Sequence, residues 1–162
     1  MTKKLGLPPI MRADARLLVL GSLPGEASLK AARYYAHPQN QFWRLLGEAL
    51  GEPLAALDYA QRVERLLTRR IALWDVIHAA RREGSLDQAI SEVEERDLRG
   101  FVAGLPELRA VAFNGATAAK IGRRALKGTG LELIDLPSSS PAYTLPFAGK
   151  AGRWSALKAF LD

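Results

Sequence analysis

Apolar positions along the chain follow two patterns. Four short runs, Arg16 to Gly21, Ile71 to Val76, Arg109 to Asn114 and Leu131 to Leu136, are nearly continuous, as in strands covered on both faces. Between them, Gln39 to Leu50, Asp58 to Thr68, roughly Glu94 to Gly104 and Ala116 to Lys127 place apolar residues at helical spacing, and a last helix fits Arg153 to Leu161. Strands separated by helices require crossover connections. The pattern therefore predicts an α/β fold, a three-layer α/β/α sandwich with a short, mainly parallel four-stranded sheet.

Local signals support these limits. Asp58 followed by Gln61 resembles a capping box, and Gly128 stands where a helix is expected to stop. The charged stretch Ala80 to Glu95 reads as a solvated loop or short helix bordering a site. There is no fixed-period repeat, long linker or low-complexity tract, and 162 residues suit one domain spanning 1–162.

Composition narrows the function classes. Hydrophobic residues make up 48% of the chain, yet no run approaches a membrane span and the N-terminal stretch lacks a continuous apolar core. The expectation is a soluble, cytoplasmic, monomeric protein with no membrane partner. Lys and Arg number 23 against 17 Asp and Glu, a formal charge of +6, which favours a polyanionic partner such as nucleic acid. The absence of cysteine removes disulfides, thiolate nucleophiles and zinc–sulfur sites. With only His37 and His78 there is no multi-histidine metal site, and no metal or cofactor is expected. His37 reads as a hydrogen-bonding residue at a helix entry, and His78 as a packing or capping residue. Lys120, Arg123, Arg124 and Lys127 form a basic helical stripe that reads as a solvated surface before a DNA contact.

Ligands of open parallel sheets gather beyond the carboxyl ends of the strands. Here those ends carry Ser22-Leu23-Pro24-Gly25, Asp75 with His78, Asn114-Gly115 and Ser138-Ser139-Ser140. Gly21-Ser22-Leu23-Pro24-Gly25 does not have the G-x-G-x-x-G order of a dinucleotide loop, no phosphate-binding G-x-x-x-x-G-K-[ST] occurs, and the glycine spacing is wrong for a nucleophile elbow. Nucleotide cofactors and serine hydrolysis recede.

Gly21-Ser22-Leu23-Pro24-Gly25, taken with Ala36-His37-Pro38-Gln39-Asn40-Gln41-Phe42-Trp43, resembles the uracil-DNA glycosylase superfamily. Leu73-Trp74-Asp75-Val76-Ile77-His78 and Gly84-Ser85-Leu86-Asp87 extend the resemblance to its hypoxanthine-DNA glycosylase branch, from about Leu17 to the final helix. Pro137-Ser138-Ser139-Ser140-Pro141 is similar to the superfamily's DNA-facing motif. One departure matters. Mismatch-specific members carry Asn at the position of Leu23, and a leucine cannot orient water by hydrogen bonding. The resemblance to the hypoxanthine branch moves that task to Asn40, whose alternative use is capping the next helix.

What the resemblance implies is hydrolysis of the bond between a deaminated base and its sugar in DNA, releasing hypoxanthine from deoxyinosine and leaving an abasic site. Asn40 is the expected catalytic residue, positioning water through a neutral amide that is a poor base. Gly21, Ser22, Leu23, Pro24, Gly25, Tyr35, Asp75 and Asn114 are the expected substrate-binding residues. Tyr35 is favoured over Tyr34, Phe42 and Trp43 as the aromatic wall, and Asp75 either contacts the base, activates water or caps an element. Ser138, Ser139, Ser140 and Pro141 are the expected DNA contacts. Release of uracil or xanthine, a catalytically silent nucleic-acid-binding domain, and a small-molecule nucleotide-binding protein are the competing readings.

Overall fold

The computed structural model describes residues 3–161. In chain order its elements are β1 (Lys3–Leu5), β2 (Leu17–Gly21), α1 (Glu26–Ala31), α2 (Phe42–Leu50), α3 (Tyr59–Thr68), β3 (Ile71–Asp75), β4 (Ile77–Arg81), β5 (Ser91–Glu95), α4 (Leu98–Ala103), β6 (Ala110–Asn114), α5 (Ala116–Leu126), β7 (Glu132–Leu136) and α6 (Phe147–Trp154), with short 3-10 turns between some of them.

The central sheet has the order β3-β2-β6-β7 and is parallel throughout. Leu17 lies opposite both Ile71 and Ala110, and Val111 opposite Leu133, so the four apolar runs pair in register. Side chains alternate between two cores. Leu17 and Val19 pack with Phe42, Leu45 and Leu46 of α2, Leu66 of α3 and Trp154 of α6. Leu18 and Leu20 pack on the other face with Leu98 of α4 and Ala118 and Ile121 of α5. This is the expected three-layer arrangement. α5 approaches the sheet closely at Gly122, where a Cβ would stand 2.1 Å from the Phe113 ring.

β2 holds the centre: the chain leaves it toward β3 on one side and returns to β6 on the other. The carboxyl ends of β2 and β6 therefore flank the switch point, where connections diverge and leave a crevice.

A second sheet, antiparallel with order β1-β4-β5, was not expected. The segment read as a loop or short helix, Ala80 to Glu95, instead contains the end of β4 and all of β5. Its residues show no alternation because β5 is largely exposed and register shifts interrupt its pairing with β4. Ladder hydrogen bonds and ion pairs such as Lys3–Glu94 at 2.6 Å and Arg81–Glu92 hold it in place of burial. Only Val76 separates β3 from β4, and its N–H donates to Gly21 O at 2.9 Å, so the chain changes sheets at the head of β2.

The helices depart from expectation, beginning with α2, which starts at Phe42 rather than Gln39 because residues 39–41 form the turn that leads into it. The helix expected from Glu94 begins at Leu98, capped by Asp97, because Glu94 and Glu95 belong to β5. The helix expected at Arg153 to Leu161 starts earlier, at Phe147 after Pro146, and residues Ser155–Phe160 tighten into 3-10 turns. α1 had no counterpart in the sequence reading. The Asp58–Gln61 capping box is present at α3, and Gly128 adopts φ 81 in the turn beyond α5. Among the described residues no helix is long and apolar enough to cross a membrane.

Candidate active site

Both motif loops open into one cleft of ≈ 1190 Å³ at the carboxyl edge of the parallel sheet. The residues expected to act in catalysis, base binding and DNA contact all border it: Gly21 to Gly25, Tyr35, Asn40, Asp75, Asn114 and Ser138 to Pro141. The reason is topological. Gly21, Asp75, Asn114 and Leu136 end the four strands of one sheet, so whatever follows them converges.

Gly21 forms the floor between β3 and the Tyr35 turn. A Cβ there would lie 2.6 Å from Asp75 Oδ1 and 2.7 Å from the Tyr35 hydroxyl, so the floor admits those groups only because residue 21 has no side chain. Asp75 is 3% exposed, and its Oδ2 has no hydrogen-bond partner among the described residues. Burial pushes this carboxyl up to about 7; Arg96 and Arg82 pull it back toward the ionised form, and Asp87 pushes it up.

Tyr35 stacks flat on Phe42, with ring centroids 3.9 Å apart and planes 9° from parallel. Its backbone sits at φ 53, an uncommon conformation for a bulky residue, which turns the chain between α1 and α2. Burial, reinforced by Asp75, holds its hydroxyl protonated. Phe42 and Trp43 belong to the core instead; Tyr34 is a core residue that also borders the cleft, with its hydroxyl donating to Pro8 O at 2.8 Å.

Asn40 stands at the entry to α2. Its Oδ1 accepts from the Phe42 N–H at 3.0 Å, a local turn at the helix entry where Gln41, not Asn40, is the N-cap residue, and Asn40 also borders the cleft. A carbonyl oxygen has two lone pairs, so one remains for a second donor. His37 is exposed, and its Nδ1 accepts from the Gln39 N–H at 3.1 Å, which is a helix-entry role.

Asn114 is heavily committed. Its Nδ2 donates to the Tyr35 hydroxyl at 3.2 Å and to Ser139 Oγ at 2.9 Å, while its Oδ1 accepts from the Ser139 N–H at 2.9 Å. Ser139 is 1% exposed, and Ser138 and Ser140 flank it at the cleft wall. Gln41 N–H donates to Ser139 O at 3.0 Å, tying the serine loop to the Asn40 segment.

Several supports had escaped the sequence reading. Arg82, 1% exposed, donates to Leu23 O, Pro24 O and Gly84 O, and so clamps the first loop from behind. Ser22 Oγ donates to Asp87 Oδ1 at 2.7 Å. Lys150 Nζ donates to Ser140 O at 3.1 Å, and Trp154 Nε1 to Pro137 O at 2.9 Å. Asp87 was available as a signal, since it lies in a quoted motif. A buried Arg or Lys leaves no local mark on a sequence in which such residues are mostly solvated. The basic stripe on α5 is partly spent: Arg123 pairs with Asp135 at 2.8 Å and Arg124 with Glu95. Among the described residues no cluster of His, Asp and Glu fits a metal ion.

The sequence model of the uracil DNA glycosylase superfamily matches residues 8–162. A hypoxanthine DNA glycosylase of Methanosarcina acetivorans is 39% identical over 154 residues, covering 95% of this chain and 97% of the relative. Its counterpart in Methanosarcina barkeri is 38% identical over 153 residues, covering 94% and 96%. A Methanosarcina acetivorans protein, whose solution NMR structure was determined as that of a candidate uracil DNA glycosylase, superposes with a TM-score of 0.88 at 38% identity, covering 98% of this chain and 99% of that one.

Proposed function

The chain belongs to the uracil DNA glycosylase superfamily, and on that premise we propose that it is a monofunctional DNA glycosylase releasing hypoxanthine from deoxyinosine in DNA. The observation that carries this reading is the convergence of the Gly21–Gly25 loop, the Asn40 segment and the serine loop on one cleft, in a chain whose relatives at 38% and 39% identity are hypoxanthine DNA glycosylases.

A base inside a duplex is out of reach, so the nucleotide must leave the stack, at a cost of a few kcal/mol that is smaller for an imperfect pair. The cleft accepts the extruded nucleotide, with the Tyr35 ring as a wall for the flat base. Cleavage of the glycosidic bond leaves positive character on the sugar and negative charge on the base. Asn40 positions the attacking water through the lone pair that Phe42 leaves open; a neutral amide orients and does not deprotonate. Ser138 and Ser140 meet backbone phosphate, and Ser139 keeps their loop in place. One superfamily match running across residues 8–162 supports a single-domain enzyme, which we take to act as a monomer in the cytoplasm.

Single-turnover base release from a duplex carrying one deoxyinosine tests the reading. Asn40→Ala is expected to lower the rate by about 100-fold or more. Asn40→Ser retains an oxygen for the Phe42 N–H and separates the turn contact from catalysis. A duplex panel with uracil and xanthine ranks the bases. Salt-sensitive binding with no base released from any duplex sinks the enzyme reading in favour of a silent binder.

A further inference from the structure

Asp75 is a deeply buried carboxyl bordering the cleft to which the mechanism above assigns no task. It is nearly inaccessible, borders the cleft, and carries an oxygen with no hydrogen-bond partner among the described residues. A buried, unsatisfied polar atom at a ligand cleft is explained most simply by a partner that arrives with the ligand. Gly21 lets the carboxyl and the Tyr35 hydroxyl sit together at the floor of the cleft, since a Cβ there would stand 2.6 Å from Asp75 Oδ1 and 2.7 Å from that hydroxyl.

Depth identifies which part of the nucleotide that partner is. An extruded nucleotide enters base first and leaves its phosphates at the mouth. Asn40 is half-exposed and follows the exposed His37, Pro38 and Gln39, so it lies nearer the rim, where the sugar stops. Asp75, at the end of β3, is far more deeply buried, and the innermost part of the nucleotide to reach such a group is the base.

We infer, resting on the glycosylase reading, that Asp75 in its neutral form donates a proton to the departing purine, at the ring nitrogen N7. As the bond from C1′ to N9 breaks, its electron pair passes to the purine. The Asp75 O–H proton moves to N7, so hypoxanthine leaves neutral and Asp75 becomes a carboxylate. The water oxygen bonds to C1′, and its surplus proton returns through solvent to Asp75. Atoms and charge balance without a co-reactant.

The surroundings support the neutral form. Burial raises this carboxyl to about 7 and Asp87 adds to the effect, while Arg96 and Arg82 oppose it. The Tyr34 and Tyr35 hydroxyls, also beside it, are held protonated. A group balanced near neutrality suits proton transfer at cellular pH.

The test is the pH profile of single-turnover release from a deoxyinosine duplex. For the unaltered enzyme the rate is expected to fall about tenfold per pH unit above roughly 7. Asp75→Asn retains an N–H donor but no transferable proton; its rate should be about 100-fold lower and flat across that range. An alkaline limb that persists in Asp75→Asn, or a rate within about threefold of the unaltered enzyme, overturns the assignment. Carbon NMR of the Asp75 carboxyl in the unaltered protein decides independently of how the variant folds: a midpoint near 7 supports the proposal, and one in the ordinary carboxylate range defeats it. An unaltered enzyme that releases no base at any pH defeats the glycosylase reading itself, a result distinct from an active enzyme with an unmoved limb.

Discussion

Asn114 and Ser139 grip each other twice: Asn114 Nδ2 donates to Ser139 Oγ at 2.9 Å, and the Ser139 N–H donates to Asn114 Oδ1 at 2.9 Å. The pair joins the head of β6 to the serine loop, and both residues are buried. Truncation of one partner strands the other's polar atoms. Asn114→Ala is therefore expected to destabilise the fold by about 2–3 kcal/mol in urea unfolding, and Ser139→Ala, which loses only a hydroxyl, by about 1 kcal/mol. Equal costs for the two variants would contradict this account.

Gly21→Ala places a methyl between Asp75 Oδ1 and the Tyr35 hydroxyl. Displacement of either group disturbs the floor against which the base must seat. Hypoxanthine release is expected to drop by about 100-fold, the scale of a small misplacement near reacting atoms. Comparable rates in the two proteins would show that the floor is not where the base sits.

Arg82 holds three carbonyls of the loops that form the first wall. Arg82→Met fills similar space but leaves those acceptors dry, and a loss of about 3 kcal/mol is expected from denaturant titration. Arg82→Lys should recover little, because an ammonium cannot spread its donors as the planar fork does.

The α5 stripe has its arginines paired in the open, Arg123 with Asp135 and Arg124 with Glu95. Exposed pairs contribute little, so Arg123→Ala and Arg124→Ala should each change stability by less than about 1 kcal/mol. If the stripe is a solvated surface, affinity for duplex DNA should stay within about twofold and the salt dependence should keep its slope. A slope reduced by about one per arginine would make the stripe a phosphate contact.

Asp75 also links stability to pH. Its carboxyl titrates at about 7 in the folded chain and near 3.8 when unfolded, so between those values the folded form holds the extra proton. Stability is then complete at low pH, falls as pH rises through that window, and is level above it. The shift corresponds to roughly 4 kcal/mol. Asp75→Asn, which does not titrate, should be more stable than the unaltered protein at pH near 8 and match it near 4, as read from urea midpoints at the two values. A midpoint difference independent of pH would show that Asp75 is not the group involved.

The parallel strands and most helices could be read from local order, because a strand buried on both faces needs an unbroken apolar run and a helix repeats every three to four residues. Leu17 to Gly21 and Ala116 to Leu126 carry those marks in their own neighbours. The cleft was legible for the same reason, since strand ends of one parallel sheet share an edge and the Gly21 and Asn40 segments carry a recognisable motif. Folding added what depends on partners far along the chain. β5 is a strand because β4 lies beside it, with hardly any apolar signal of its own. Arg82 and Lys150 are interior residues because carbonyls of Leu23, Pro24 and Ser140 wait for them, and Asp75 is poised near neutrality because the fold takes away its water and gives one oxygen no partner. Such pairings are set by topology, which brings Arg82 to carbonyls almost sixty positions away and lays β5 against β4, and local hydrophobic order marks neither partner.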